Sequence, residues 1–334
     1  MNTEFSSIIN QEGRLVEWAE KVTYKLDLNA EDKEISAVTD AWLKDIVGRT
    51  GHDANHEISQ LIMKTITPEV VAAPSAVIEA AFRQSANIGE FDDVKFEVAP
   101  KNTIRVYDAI VGGNVDRSYI DSKLVAPKWK SLQAETEVSL QEIRRGGFRT
   151  VANLITYIRE AFEYKKVAAL VEAIDAACVS GTAQYITESG AMPTDASMKA
   201  LALYLHDVLD EGTPVAFGQN KYIQEISGLT GVTTYLTDRE KGLWNQNGFV
   251  KEYAGVALTG FSGQKKLADG SFIVPDKKIY GVAGVIGDIC TRGETNVLQE
   301  TDINSEKIHI KVNGYTFGYA MTAPEKVCKI VMNS

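Results

Sequence analysis

Neither glycine nor proline interrupts Val151-Ala-Asn-Leu-Ile-Thr-Tyr-Ile-Arg-Glu-Ala-Phe-Glu-Tyr-Lys-Lys166, which continues as Val167-Ala-Ala-Leu-Val-Glu-Ala-Ile-Asp-Ala-Ala177. Its apolar residues recur with the 3.6-residue period of an α-helix, and charged residues such as Arg159, Glu160 and Lys165 fall mostly on the opposite face. At ~1.5 Å per residue the predicted helix is roughly 40 Å long, two to four times the usual length in globular domains. A helix this long needs a long partner surface. The predicted buried face comprises Val151, Leu154, Ile155, Ile158, Phe162, Leu170 and Ile174, with Ala169, Ala173 and Ala177.

The composition is that of an ordinary globular protein. A chain of 334 residues can form one large domain or two to three smaller ones. Its apolar runs are too short to span a membrane, and the N-terminal residues lack the pattern of a secretion signal. Cys178, Cys290 and Cys328 are odd in number and far apart, which indicates buried thiols of a protein made in a reducing cytoplasm.

Charge is distributed unevenly along the chain. The net charge of −10 argues against a protein that grips phosphate backbones. Residues 1–60 carry about twice as many acids as bases, whereas bases outnumber acids in residues 95–149. Such an asymmetry is typical of solvated surface, and equally of two surfaces that meet. The acidic segment includes Glu12, Glu17, Glu20, Glu31, Asp32 and Glu34, and the basic segment includes Lys95, Lys101, Arg105, Arg117, Lys123, Lys128, Lys130, Arg144, Arg145 and Arg149.

The N-terminal segment is predicted to form short helices. Asn29-Ala-Glu-Asp can cap one helix, and Asp53-Ala-Asn-His-Glu can start another that carries Ile58, Leu61, Ile62 and Ile66. Their apolar stripes are narrow, so we expect these helices to lie on another surface rather than to form a core. A further short helix is predicted at residues 75–82.

A period of two then predicts extended structure. Residues 104–111 are strand-like, residues 112–117 form a turn region, and residues 124–140 return as a second extended run with charge at alternate positions. The two runs contain too few apolar residues to form a hydrophobic core by themselves. They predict a long projecting hairpin, which needs another surface because isolated hairpins are marginal in water.

Strands and helices alternate after the long helix, which Gly146-Gly147 precedes. Residues 195–209 predict an amphipathic helix capped by Asp195 or Ser197. The remaining predictions are a buried strand at 214–218, a short helix at 221–226, an extended segment at 249–260, and strands and turns from Lys278 onward. Asn313-Gly314 is by local rules a hairpin signal.

Motifs that resemble catalytic or ligand sites are incomplete. Gly260-Phe-Ser-Gly-Gln264 lacks the last glycine of a nucleophile elbow, so we interpret it as a turn. Gly281-Val-Ala-Gly-Val-Ile-Gly287 has the wrong spacing for a dinucleotide-binding turn, and its glycines predict close packing of strands.

The best metal candidate is His52-Asp-Ala-Asn-His56, whose histidines would share one helix face. Aspartate replaces the usual glutamate, and only His206 and His309 remain as further histidines. A polar helix start explains the segment without a metal. The neighbouring carboxylates of Asp92-Asp93 are predicted to lie in a loop. We therefore predict no catalytic, cofactor-binding or metal-binding residues, and a protein that is not an enzyme.

The order of these parts resembles the major capsid protein of tailed bacteriophages, the Hong Kong 97-type shell fold. The likeness runs from about Pro74 to Met332 and rests on order and pattern, including Ile279-Tyr-Gly-Val-Ala-Gly and Ile308-His-Ile-Lys-Val-Asn-Gly-Tyr-Thr-Phe-Gly-Tyr. It implies an α+β protein with an N-terminal arm, an extended β-hairpin loop, a long spine helix in a peripheral domain, and an axial α/β domain. The family would run the Asn313-Gly314 strand onward, and a bulge there would explain the shift of apolar positions from even to odd numbers.

The resemblance implies domain boundaries. The arm would be residues 1–73, the peripheral domain residues 74–90 and 146–194 with the spine helix at 151–177, and the extended loop residues 91–145. The axial domain would be residues 195–290, followed by closing strands at 291–334 that the peripheral and axial domains share. In the family the arm and loop cross subunit boundaries, so Glu12, Glu17 and Glu20 could pair with Lys123, Lys128 and Lys130 of a neighbour; solvated charge is the equal alternative.

The implied function is a structural protein that self-assembles into the icosahedral capsid shell around the genome of a tailed phage. The implied partners are copies of itself in hexamers and pentamers, a scaffolding protein, a portal, decoration proteins, and double-stranded DNA held by non-specific contact. The implied location is the virion, after synthesis in the host cytoplasm. An encapsulin-like compartment shell is the alternative, which the arm and long loop disfavour, and a metal-dependent hydrolase using His52 and His56 is a remote one.

Overall fold

The computed structural model describes residues 12–48, 76–85, 88–89, 92–98, 123–139, 142, 145–210, 212–233, 250–263, 267, 269–293, 296–302 and 307–333. The helices are α1 (Glu12–Thr23), α2 (Ala30–Gly48), α3 (Ala76–Ala80), α4 (Phe148–Ala177), α5 (Asp195–Val208), α6 (Asn220–Ile226) and α7 (Thr230–Thr233). The strands are β1 (Phe82–Gln84), β2 (Phe96–Val98), β3 (Lys123–Val125), β4 (Lys128–Ser139), β5 (Tyr185–Glu188), β6 (Val215–Gln219), β7 (Glu252–Tyr253), β8 (Val256–Phe261), β9 (Lys278–Val282), β10 (Gly287–Arg292), β11 (Asn296–Asp302), β12 (Lys307–Met321) and β13 (Val327–Met332).

The chain divides into two compact units. The first unit comprises Met1–Ser75, Lys130–Val167 and Thr291–Phe317. The second unit comprises Ala76–Trp129, Ala168–Cys290 and Gly318–Ser334.

The predicted long helix is confirmed as α4, which begins at Phe148 and ends at Ala177. In the first unit its predicted face is buried at Ile155, Ile158 and Phe162. In the second unit it is buried at Leu170 and Ile174 and at the two small residues Ala169 and Ala173. Leu154 and Ala177 are partly exposed, and the side chain of Val151 lies outside the described residues.

Arg159 is the exception to the predicted helix face. We predicted it on the solvated side, but it is only 8% exposed. Its Nη1 lies 2.7 Å from Oε1 of Glu20, and its Nε lies 3.0 Å from Oε1 of Glu163 one turn away. The prediction is wrong because helix α1 packs on this flank of α4 and covers it, which no periodicity within α4 can show.

Helices α1 and α2 carry more of the core of the first unit than their narrow stripes predicted. Trp18 and Trp42 are fully buried. The Trp18 indole donates a hydrogen bond to Ser36 Oγ at 3.0 Å, and its ring lies 6.2 Å from that of Phe148. Large aromatic side chains supply much apolar burial from few positions, so two short helices suffice here.

Both ends of the α1–α2 connection have defined caps. The predicted cap at Asn29 is confirmed: its Oδ1 accepts from the Asp32 amide at 2.7 Å, and Asp32 Oδ2 accepts from the Asn29 amide at 3.1 Å. Helix α1 ends with Leu26 N donating to Lys21 O at 2.8 Å, while Lys25 adopts a left-handed φ of 57°. This is a Schellman-type end, which fixes the turn that follows α1.

Strand β12 is continuous through Asn313-Gly314, as the bulge interpretation predicted. Strand β11 pairs antiparallel with it from Asp302↔Lys307 to Asn296↔Asn313, and Gly314 has a φ of 87°. Buried positions change from Ile310 and Val312 to Tyr315 and Phe317 across this glycine. One extra residue in the strand therefore switches which parity faces the core. The five-stranded sheet has the order β1-β10-β12-β11, with β4 also paired to β12.

The predicted hairpin run from Leu124 to Leu140 divides at Ala126-Pro127. Strand β3 pairs antiparallel with β2, with Phe96 opposite Val125. Strand β4 pairs with β12, and nothing in the described residues tests whether it also forms the predicted hairpin. Proline has no amide hydrogen for the ladder, which explains the break. The predicted strand at 104–111, the turn region at 112–117 and the helix start at Asp53 lie outside the described residues.

A six-stranded mixed sheet organises the second unit, with the order β5-β13-β9-β6-β8-β7. On one face the leucines of α5 pack so closely on the sheet that a Cβ at Gly281 would lie 2.6 Å from Leu205. On the other face Phe217 stacks on Tyr280, with ring centroids 5.5 Å apart. The predictions of a buried strand near 214–218 and of a helix near 221–226 are confirmed as β6 and α6.

Helix α5 is confirmed, but its cap is not one of the predicted residues. Thr194 is the N-cap, and its Oγ1 accepts from the Ser197 amide at 3.3 Å. Ser197 Oγ in turn accepts from the Thr194 amide at 3.0 Å, so Ser197 is the third helical residue of a capping box. Asp195 is the first helical residue rather than the cap.

The last turns of α4 are tied to the sheet of the second unit through Asp175. Its carboxylate lies 2.9 Å from Lys278 Nζ and 3.1 Å from Lys329 Nζ, and it accepts from the Tyr280 hydroxyl at 3.0 Å. Lys329 also donates to the Asp175 carbonyl at 2.9 Å, and its side chain is only 7% exposed. Burial alone raises the pKa of Asp175, but the hydrogen bonds from Lys278, Lys329 and Tyr280 outweigh it and lower this pKa.

We expect Phe162→Ala to lower the free energy of unfolding by about 3–5 kcal/mol, because Phe162 is buried with its ring edge-on to Tyr315 at 5.7 Å. Arg159→Ala is expected to cost about 1–3 kcal/mol through its lost charge-assisted bonds. Lys165→Ala, at an exposed position of the same helix, is the control and should cost less than about 0.5 kcal/mol. Urea unfolding of the three variants measures this, and equal costs for Arg159 and Lys165 would contradict the burial of Arg159.

We expect Asp175→Asn to cost about 2–3 kcal/mol at neutral pH, because it leaves the nearly buried Lys329 without its carboxylate. A lowered pKa in the folded state means that the wild-type advantage is fully present above the ordinary value of 3.8 and disappears as pH falls through the lower folded value. Urea titrations between pH 7 and pH 2.5 measure the difference between the two proteins. A difference that grows on acidification would contradict the assignment.

Candidate assembly surfaces

The incomplete sequence motifs have structural roles in the second unit. Gly260 lies within β8, and a Cβ there would meet Asn220 Oδ1 at 2.0 Å. Gly260 and Phe261 end strand β8 and Gly263 lies in the turn that follows, so the interpretation of this stretch as a turn is only partly right. At Gly287 a Cβ would lie 2.3 Å from the Ala320 carbonyl, which confirms that the glycines of residues 281–287 allow close packing.

The predicted metal candidates are not brought together by the described residues. His52 and His56 lie outside them. His206 Nε2 lies 2.9 Å from the Ala254 carbonyl, and His309 Nδ1 lies 3.8 Å from Glu137 Oε2. Within the described ranges, no group of three or more His, Cys, Asp or Glu is placed to hold a metal ion.

The neighbouring carboxylates of Asp92-Asp93 and the three cysteines also have structural explanations. Asp92 accepts from the Gly89 amide at 3.1 Å, and Asp93 lies 3.5 Å from Lys95, so this pair of carboxylates shapes a turn, as predicted. The three cysteines are free and buried, as predicted. Burial raises the pKa of the Cys178 and Cys328 thiols to about 12, which keeps them protonated and unreactive. Among the helices that the structure describes, none is long and apolar enough to cross a membrane.

Side chains of opposite charge meet between β4 and β12 in the first unit. Lys307 forms an ion pair with Glu137 of β4, and His309 lies near the same carboxylate. Oppositely charged side chains on neighbouring strands stabilise a sheet. The Glu137 carboxylate therefore has its partners within the chain.

Acidic residues of the N-terminal helices α1 and α2 also form ion pairs within the first unit. Glu17 lies 2.7 Å from Lys21, Glu20 lies 2.7 Å from Arg159, and Glu31 lies 2.7 Å from Arg14. The side chain of Glu12 lies outside the described residues. Glu17 and Glu31 remain largely exposed in spite of these pairs, so they can still interact with a neighbouring molecule. Glu20, in contrast, holds the buried Arg159 and has a structural role that the sequence did not predict.

The basic segment presents an exposed strand in the second unit. Lys123 and Lys128 are exposed, and Lys130 of the first unit is partly buried. Between them Leu124 is 58% exposed, opposite Glu97 across the two-stranded ladder. An apolar side chain flanked by lysines is typical of a contact surface with a polar rim. The alternating pattern of residues 124–140 was the sequence signal for this exposure.

No protein-family model matches the sequence, and no curated protein matches it at a significant level. Solved structures do match. The capsid of the cyanophage P-SCSP1u aligns with a TM-score of 0.57 and 12% identity over 80% of this chain and 92% of that chain. The mature capsid of bacteriophage PhiM1 aligns with a TM-score of 0.52 and 10% identity over 77% and 87%. The capsid of an empty GTA particle aligns with a TM-score of 0.51 and 11% identity over 79% and 92%.

These alignments extend over most of both chains, so the likeness concerns the whole architecture rather than one motif. At such low identity it establishes the fold alone. The chain therefore has the α+β, Hong Kong 97-type fold of tailed-phage capsid proteins, as its sequence predicted.

Proposed function

We propose that this chain is the structural subunit of an icosahedral shell and that it self-assembles into the capsid of a tailed phage. The observation that carries the proposal is the fold, which this chain shares with capsid proteins over about four-fifths of its length. The described residues add a physical reason: the β2–β3 ladder has only three residues in each strand and an exposed apolar side chain. Such a small ladder is marginal alone and gains stability from a neighbouring surface.

The parts of the chain then take the following roles. Residues 1–73 act as the arm, residues 91–145 as the extended loop, and α4 as the spine of a peripheral domain at 74–90 and 146–194. Residues 195–290 act as the axial domain, and residues 291–334 supply the closing strands. Strands β6, β7, β8 and β9 of the six-stranded sheet lie within residues 195–290, and β5 and β13 extend the same sheet from the peripheral domain and the closing strands. Burial of this sheet within the second unit supports a rigid axial domain.

The partners follow from the same role. Copies of the chain form hexamers and pentamers, and a scaffolding protein, a portal and decoration proteins join them. Double-stranded DNA is held by non-specific contact, since the net charge of −10 provides no strongly cationic lining. The site of action is the virion, after synthesis in the cytoplasm of the host cell.

Self-assembly is the direct test of the proposal. Purified protein, with a scaffolding protein if required, is expected to give closed shells or ring-shaped capsomers in electron microscopy, and megadalton species in light scattering. Nucleic acid rather than enzyme cargo inside particles isolated from infected cells would separate the phage shell from an encapsulin-like compartment. A protein that stays monomeric under all assembly conditions would refute the proposed function.

The arm–loop pairing is tested by charge reversal at exposed positions. Lys123→Glu with Lys128→Glu is expected to weaken assembly, and adding Glu17→Lys in the same chain is expected to restore part of it. Each exposed pair contributes only about 0–1 kcal/mol, but the contact repeats around the shell. Glu20 is left unchanged because it binds Arg159 within the chain.

Assembly is measured by light scattering at low ionic strength, where screening is weakest. Lys165→Glu, at an exposed position of α4, is the matched control for added negative charge. Normal assembly of the double reversal under these conditions would show that the two segments do not pair.

A further inference from the structure

A break in the helical path lies directly before α4, and a carboxylate of α2 closes it. Glu142 and Gly146 have helical backbone, but Gly147 has a left-handed φ of 53°. A right-handed helix cannot continue through that conformation. The Phe148 amide, at the start of α4, donates to Asp40 Oδ1 at 3.0 Å. The first turn of α4 is therefore capped by a side chain that lies 108 positions earlier in the sequence.

The chain before the break folds back on α4. Thr150 Oγ1 donates to the Glu142 carbonyl at 3.2 Å. In a continuous helix these two residues would be roughly 12 Å apart along the axis, so this hydrogen bond requires the broken path. Glu142 belongs to the last part of residues 91–145, which we propose as the extended loop. The geometry of the break therefore sets the direction in which this loop meets α4.

Asp40 competes with a longer α4 for one backbone donor. In a continuous helix the Phe148 amide would donate to the carbonyl four residues before it, whereas here it donates to Asp40. A carboxylate at this end is also favoured by the helix dipole. Glycine adopts left-handed and right-handed conformations with similar ease, so Gly147 itself does not select the broken path. The side chains of Asp40 and Thr150 select it.

The position of Asp40 depends on the packing of α1 and α2 against α4. Trp18 of α1 is fully buried, and its ring lies 6.2 Å from that of Phe148, the residue whose amide Asp40 binds. Glu20 attaches α1 to α4 at a second place through Arg159. The cap is therefore in place only while the N-terminal helices are packed on α4.

We propose that Asp40 is a conformational switch that couples the packing of the N-terminal helices to the path of the chain before α4. With Asp40 bound, Gly147 stays left-handed and residues 142–146 fold back. Without it, Gly147 becomes right-handed, α4 extends backward through these residues, and the preceding loop changes direction. The switch itself does not require assembly. Its consequence rests on the proposed function, since hexamers and pentamers place the same chain in different surroundings.

A distance between two spin labels tests the switch in the unassembled protein. Glu142→Cys and Lys165→Cys place the labels at exposed positions, and the native cysteines are all buried, so labelling is selective. The folded-back path predicts a backbone separation of roughly 20–25 Å, because Glu142 lies beside Thr150. Adding Asp40→Ala is expected to populate a separation of roughly 35 Å, the axial length of a straight helix between the two labels.

Further variants act on the same break at different atoms. Thr150→Val removes the hydroxyl that binds the Glu142 carbonyl, and Gly147→Ala disfavours the left-handed conformation and places a Cβ 2.7 Å from Asp40 Oδ1. Both are expected to populate the long distance, so the test survives if one variant fails to fold. Asp40→Asn keeps an acceptor oxygen and is expected to retain the short distance. Glu34→Ala removes an exposed carboxylate elsewhere on α2 and is the matched control.

The outcomes separate the switch from the proposed function. A short distance in Asp40→Ala, Thr150→Val and Gly147→Ala alike overturns the inference and leaves the proposed function intact. A long distance in these variants, with a short one in Asp40→Asn and Glu34→Ala, supports it.

Assembly is measured separately by electron microscopy. The variants with the long distance are expected to give at least about threefold fewer closed shells than the wild type, and an unchanged yield would overturn the consequence for assembly. Failure of the wild-type chain to assemble would refute the proposed function, whereas the distances in the unassembled protein would still decide whether the switch exists.

Discussion

Burial of the apolar stripe of α4 is the constraint on which the rest of the structure depends. A helix of 30 residues has a stripe longer than any short element can cover, so several segments that are distant in sequence must reach it. In the first unit, Phe162 packs against Tyr315 of β12, and α1 covers the flank at Arg159. In the second unit, Asp175 ties the helix to β9 and β13. Each unit is thus built around its own share of the same helix.

Features with a local cause could be predicted from the sequence. The absence of glycine and proline and the 3.6-residue period determined α4, and the reciprocal bonds of Asn29 and Asp32 follow from a known capping pattern. The change of parity around Gly314 likewise indicates a bulge from the sequence alone. In each case the determining interactions lie within one segment, so a pattern of neighbouring residues contains them.

Features that depend on contacts between distant segments could not be predicted from the sequence. Arg159 carries the same charge as the solvated residues around it, and only the approach of α1 makes it a buried ion-pair partner. Strand β4 has the alternation predicted for an extended strand, but its pairing with β12, which lies far away in the sequence, has no local signal. Assembly surfaces also combine residues from distant segments. The sequence therefore predicts the fold of a shell protein more readily than the contacts between its subunits.

The single extra residue at Gly314 has a consequence for how β12 tolerates change. Ile310 and Val312, before Gly314, face the core at even positions, and Tyr315 and Phe317, after it, face the core at odd positions. The alternation of buried and exposed side chains therefore shifts by one residue at this glycine. Substitutions along β12 alter one side chain at a time. Deletion of Gly314, in contrast, would shift the alternation of side chains in one half of the strand by one residue. The aromatic or aliphatic residues of that half would then face water. A change in the length of this strand is therefore expected to disturb more of the core than a single substitution within it.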